Sequence, residues 1–164
     1  MRRLRLLPLL AGMLLMMACS SIDCPVDNVV AVNYAVRAFD GETVVADTLK
    51  DTLSVWAVRH GGTDTLILNS GVDVKAFQLP ISYAQPVDVL LFQVRDTLHR
   101  VQTDTVWLSK DDMPHFESVD CPTRYFHRLT AVRSTHVRID TILINNPSVT
   151  YDTSVKHLHV HFKK

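Results

Sequence analysis

The C-terminal stretch "KHLHVHFKK" sets His157, His159 and His161 at alternate positions, with Leu158, Val160 and Phe162 between and after them. On an extended strand alternate residues share a face. Three imidazoles would then line one side while three apolar side chains face a core. Neutral imidazole is a good ligand for zinc or copper, and two at i and i+2 can chelate one ion. Another histidine (His60, His99, His115, His127 or His136) or a carboxylate such as Asp140 would complete the site. A solvent-facing strand that is simply rich in histidine explains the same alternation. In both cases the face gains positive charge below about pH 6.5.

Cysteine is the other reactive type, at Cys19, Cys24 and Cys121. Cys24 and Cys121 share their flanks, Asp-Cys-Pro in each case. In an exported protein such a pair reads as a disulfide. Proline is tolerated at the first residue of a strand and not in its middle, so each cysteine is expected where a strand begins. The loop so closed is long, worth about 4–5 kcal/mol in the chain-entropy model.

Cys19 has a different setting. Arg2, Arg3 and Arg5 precede an uncharged apolar run from Leu6 to Ala18. A bilayer span takes about 20 residues, so this run is too short to cross and suits the apolar part of a signal peptide. It ends Met16-Met17-Ala18-Cys19, which resembles the bacterial lipobox. The expectation is a lipoprotein signal peptide over 1–18, a lipidated Cys19 with a short tether over 19–24, and one domain over 25–164. Several acyl chains together make a stable membrane anchor where one alone is marginal.

Charge narrows the partners. The whole chain carries 17 basic and 17 acidic side chains. Three of the arginines lie in the leader, so the remainder is mildly acidic. That argues against nucleic acid, which needs a basic face, and gives no polybasic membrane patch. No Gly-x-Ser-x-Gly elbow, His-Glu-x-x-His, phosphate loop or dinucleotide fingerprint occurs. The adjacent acids Asp111 and Asp112 read as a solvated loop before Pro114. An enzyme is therefore not expected, and no cofactor beyond zinc or copper on the histidine strand.

The elements that must position these residues are strands. Of the acids, 15 are Asp and 2 are Glu, and Asp favours turns where Glu favours helices. Valine occurs 22 times and threonine 14 times, both β-branched and at home in strands. Strands are predicted over 29–39, 53–59, 65–69, 74–79, 87–95, 100–109, 123–132, 137–144 and 156–162. Val30, Val32, Tyr34 and Val36 should share one face of the first, with Asn33 and Arg37 on the other, and "HGGTD" should turn a hairpin. Trp56 and Trp107 are expected in core or inter-sheet packing. Asp-Thr recurs seven times at irregular gaps and reads as a strand-boundary signal. The layout predicts an antiparallel β-sandwich, immunoglobulin-like, with a closed barrel as the alternative.

Several short motifs together resemble small uncharacterised lipoproteins of Bacteroidota. They are the lipobox, the early Cys-Pro, "LPI" at 79–81, Cys121 before an aromatic strand, and "IDTILINNP" at 139–147. The resemblance implies a compartment and no activity. "SSIDC" offers only Asp23 in place of the acidic run of surface-exposed members, which implies a periplasm-facing domain on the outer membrane. The functional expectation is a non-catalytic binding or assembly-accessory module of the cell envelope, with a protein or glycan partner. A periplasmic metal-binding protein is the alternative.

Overall fold

Eleven strands make two sheets in the computed structural model, which describes residues 24, 29–41, 43–59, 61–119 and 121–164. They are β1 (Ala31–Asp40), β2 (Thr43–Ala46), β3 (Thr52–Ala57), β4 (Thr65–Gly71), β5 (Ala76–Pro80), β6 (Val87–Arg95), β7 (Val101–His115), β8 (Arg124–Ser134), β9 (Ile139–Ile144), β10 (Ser148–Val149) and β11 (Leu158–Phe162). The larger sheet runs β10-β8-β7-β6-β3-β4. The smaller runs β2-β1-β11-β9, with β5 also paired to β1. No helix occurs among the described residues. Both strand orders are open, so the chain is a sandwich and not a closed barrel.

Every pairing is antiparallel except one. β1 and β11 run parallel, with Tyr34 opposite Leu158 and Val36 opposite Val160. This departs from the expected all-antiparallel arrangement. The histidine strand is inserted between β1 and β9, which makes it internal to its sheet.

The alternation predicted from the sequence sets the core. Val32, Tyr34 and Val36 of β1 meet Leu53 and Val55 of β3, Phe92 of β6, and Val106 and Leu108 of β7 in one apolar cluster. Tyr34 stacks on Phe77 at 4.7 Å between centroids and tilts against Phe92 at 5.9 Å. Its hydroxyl is buried and has no hydrogen-bond partner among the described residues. Burial, and then the charge of Asp88, hold that hydroxyl protonated far above the usual phenol range. An unpaired buried hydroxyl costs about 1–3 kcal/mol, so Tyr34→Phe should raise stability by about 1 kcal/mol. A melting temperature below that of the wild type would contradict this account of the ring.

The fold corrects three expectations. β7 continues through Asp111, Asp112 and Pro114 to His115, where a solvated loop was expected. Beyond Ser109 its sheet neighbour among the described residues is β8 alone, because β6 starts at Val87, opposite Ser109. Proline fits such an edge, where its missing N–H faces no partner. Trp56 and Trp107 are half-buried on the outer face of the larger sheet and not in the core. Trp56 Nε1 donates to Gln93 Oε1, and the Arg133 guanidinium sits 5.5 Å from the Trp107 ring. Cys24 and Cys121 precede β1 and β8 by several residues and open neither strand.

Candidate functional site

The strands run from one end of the sandwich to the other, which gives the domain two poles. β6 has nine residues, and at about 3.3 Å each the poles lie about 30 Å apart. The start of β1, the 81–86 loop and the 116–123 loop gather at one pole. The 96–100 and 135–138 loops, the segment 47–51 and the end of β11 gather at the other.

The first pole carries the cystine. Cys24 and Cys121 form a disulfide with 5.6 Å between their Cα atoms, joining positions 97 apart in sequence. Beside it Tyr83 and Tyr125 stack at 4.9 Å. They border a cleft of ≈ 250 Å³ together with Val29, Ile81, Arg124 and His127. His127 is buried, and its Nδ1 lies 2.6 Å from Asp112 Oδ1, its cross-strand neighbour. Lys110 is buried nearby. Its Nζ donates to the Gln85 carbonyl at 2.5 Å and lies 3.6 Å from Asp88 Oδ1. Asp88 Oδ2 in turn accepts from the Ser82 N–H. These buried charges hold the 81–86 loop against β6 and β7. Cys19, the expected lipid site, lies outside the described residues.

The histidine face is split. Leu158, Val160 and Phe162 point into the core as expected, and His159 and His161 are half-buried on the other side. His157 precedes the strand and does not join them. It is 1% exposed, and its Nδ1 accepts the Asn33 N–H at 2.9 Å while its own N–H donates to the Asn33 carbonyl. This corrects the expectation that three imidazoles share one surface. His161 Nδ1 lies 3.2 Å from Asp140 Oδ2, and Phe39 meets its ring edge-on. Among the described residues no three His, Cys, Asp or Glu side chains group as a metal site would.

Burial, the largest effect, pushes the His157 pKa below the ordinary imidazole value; Lys156 adds to this, while the Ser148 main chain and Asp152 oppose it. His159 is lowered by burial and by Arg37. The unfolded chain binds protons at these histidines near pH 6.5, and the folded chain resists. Stability from this source is present above that pH and lost as the pH falls below it. The melting temperature should therefore drop between pH 7.5 and 5.5, and His157→Asn should flatten the drop. Equal slopes in both proteins would contradict the assignment.

The second pole holds a cleft of ≈ 490 Å³, lined by Val36, Asp47, Lys50, Asp51, Arg138, Phe162, Lys163 and Lys164 among others. Its rigid part is built from Asp104, fully buried on β7. Asp104 Oδ1 accepts from the Thr135 hydroxyl at 2.8 Å and the Val137 N–H at 2.6 Å. Asp104 Oδ2 accepts from the Arg138 and Ile139 N–H groups, each at 2.7 Å. Four donors on one carboxylate fix the turn from β8 into β9. The turn delivers Arg138 to the cleft wall, where Nη2 donates to Asp51 Oδ2 at 2.5 Å. Arg138 Nε is buried without a partner among the described residues. Lys163 Nζ donates to the carbonyls of His136 and Val137. The arrangement is a concave wall of mixed charge on which Arg138 and Lys163 are held in place, suited to an acidic group.

Neither Asp104 nor Arg138 stands out in the sequence. Asp104 belongs to one of the seven Asp-Thr pairs, yet it lies inside a strand and not at a boundary. The boundary reading does describe Asp96, whose Oδ1 accepts from the Leu98 and Arg100 N–H groups, and Asp152, whose Oδ1 accepts from the Ser154 N–H.

The profile of the family of unknown function DUF6452 matches residues 52–162. The chain belongs to the DUF6452 family. The matched segment opens with β3 and closes with β11, so it contains the whole larger sheet and the histidine strand. β1, β2 and Cys24 precede it. No curated protein and no solved structure matches the chain.

Proposed function

We propose that this DUF6452 protein is a lipid-anchored module of the cell envelope that binds a partner without catalysis. Residues 1–18 would be removed, Cys19 would carry the lipid, and the domain would face the periplasm from the outer membrane. The observation that carries the reading is the placement of the two poles. The disulfide ties the start of the domain to the first pole, so an anchor at Cys19 leaves the second pole, with the Arg138 cleft, pointing away from the lipid. The buried ionic groups are engaged in structure: Asp104 with the β8–β9 turn, Lys110 and Asp88 with the 81–86 loop, and Asp112 with His127. Arg138, half-buried on the wall of that cleft, is the group that would meet an acidic side chain or a glycan carboxylate.

A photo-crosslinking residue at Lys50, in intact cells, tests this. One reproducible adduct is expected. Arg138→Ala should reduce it at least about tenfold, as removal of a buried charged partner does, with the protein level unchanged. No reproducible adduct, or an adduct indifferent to Arg138→Ala, would contradict the proposal.

A further inference from the structure

The loop between β7 and β8 exposes two apolar side chains beside the cystine. Phe116 is 70% exposed and Val119 99%. Val119 lies two residues before Cys121, which is bonded to Cys24. Tyr83 is 67% exposed at the same pole. Side chains of this size exposed together mark a contact surface more often than isolated ones do.

Chain length points to what covers them. Five chain steps separate Cys19 from Cys24. At about 3.3–3.6 Å per residue, the reach from the disulfide to the anchor is at most roughly 17 Å, about half the distance between the poles. Acyl chains on Cys19 would thus hold the cystine within roughly 17 Å of the lipid headgroups. The other pole also exposes apolar residues, Leu98 at 70% and Val72 at 64%, but the tether cannot bring them there without turning the domain over. We infer that the 116–119 loop, led by Phe116 and Val119, inserts into the headgroup region of the bilayer that holds Cys19. The insertion would fix the orientation of the domain, and so direct the Arg138 cleft outward. This rests on the lipid-anchor reading above.

Aromatic side chains suit this depth, where an apolar ring meets water and headgroups. The 116–119 loop reads Phe-Glu-Ser-Val and carries no basic side chain to add charge attraction. The inferred contact is therefore with neutral lipid as much as with anionic lipid.

The test uses the full acylated protein reconstituted in phosphatidylcholine vesicles with and without brominated acyl chains. Phe116→Trp should lose emission to the bromines beyond the loss seen for wild type, whose own Trp56 and Trp107 lie on the sheet face. Leu98→Trp, equally exposed at the opposite pole, should behave like wild type. In parallel, hydrogen exchange across residues 113–119 of the unaltered protein should slow in vesicles relative to detergent. Equal quenching of Phe116→Trp and Leu98→Trp with no change in exchange would overturn the insertion while leaving the anchor intact. An intact mass without acyl chains would overturn the anchor and this inference together.

Discussion

Asp104→Ala is expected to destabilise the domain by about 3–5 kcal/mol, a fall in Tm of roughly 10–20 °C. The reason lies in the donor count. The carboxylate accepts the N–H groups of Val137, Arg138 and Ile139 and the hydroxyl of Thr135. It is fully buried, so no water replaces it. Removing it leaves three main-chain donors without partners and frees the turn that carries Arg138. Asn is not a mild substitute here. Whichever way its amide is turned, the NH₂ group meets an N–H donor, on one side Val137 and on the other Arg138 and Ile139. Asp104→Asn should therefore melt nearly as early as Asp104→Ala, in thermal and urea unfolding alike. A Tm within about a degree of wild type for Asp104→Asn would show that the carboxylate does not hold the turn.

Loss of the disulfide is the second large effect. Cys24 and Cys121 are 97 positions apart, and a closed loop of that length contributes about 4–5 kcal/mol by restricting the unfolded chain. Cys121→Ser, Cys24→Ser and the reduced wild type should lower stability by similar amounts, since each opens the same loop. Agreement among the three separates loop entropy from damage by a particular substitution. Reduced protein that unfolds at the same denaturant concentration as oxidised protein would contradict the estimate. The functional consequence is distinct from stability. Without the disulfide, Cys24 is no longer pinned to the 116–123 loop.

The sequence made the strands legible because period-2 alternation and burial have one cause. Val87–Arg95 forms a strand over the very residues its pattern predicts, and Val32, Tyr34 and Val36, alternate positions of β1, are buried in one cluster. The Cys24–Cys121 pair followed from its matched flanks. What escaped was set by contacts far apart in the chain. Asn33 alternates like a surface residue, yet it is 4% exposed, because residues 153–157 pass over it and take its side-chain N–H groups on the Thr153 and Val155 carbonyls. The same crossing buries His157 and removes it from the histidine face. β2 and β10 are too short to leave a pattern. Asp104 looks like six other Asp-Thr pairs, and only the fold brings the 135–139 turn to it. The candidate cleft was illegible for that reason: its wall is made by segments that share no local signal.

The central claim is that one end of this domain is held to a membrane through Cys19 and fixed by the Cys24–Cys121 disulfide. Intact mass spectrometry of the protein extracted from its own envelope, without reductant, tests it most directly. The predicted result is a chain whose first residue is Cys19, with acyl groups added and the two hydrogens of one disulfide missing. A chain beginning elsewhere without acyl mass, or one with free thiols at Cys24 and Cys121, would contradict it.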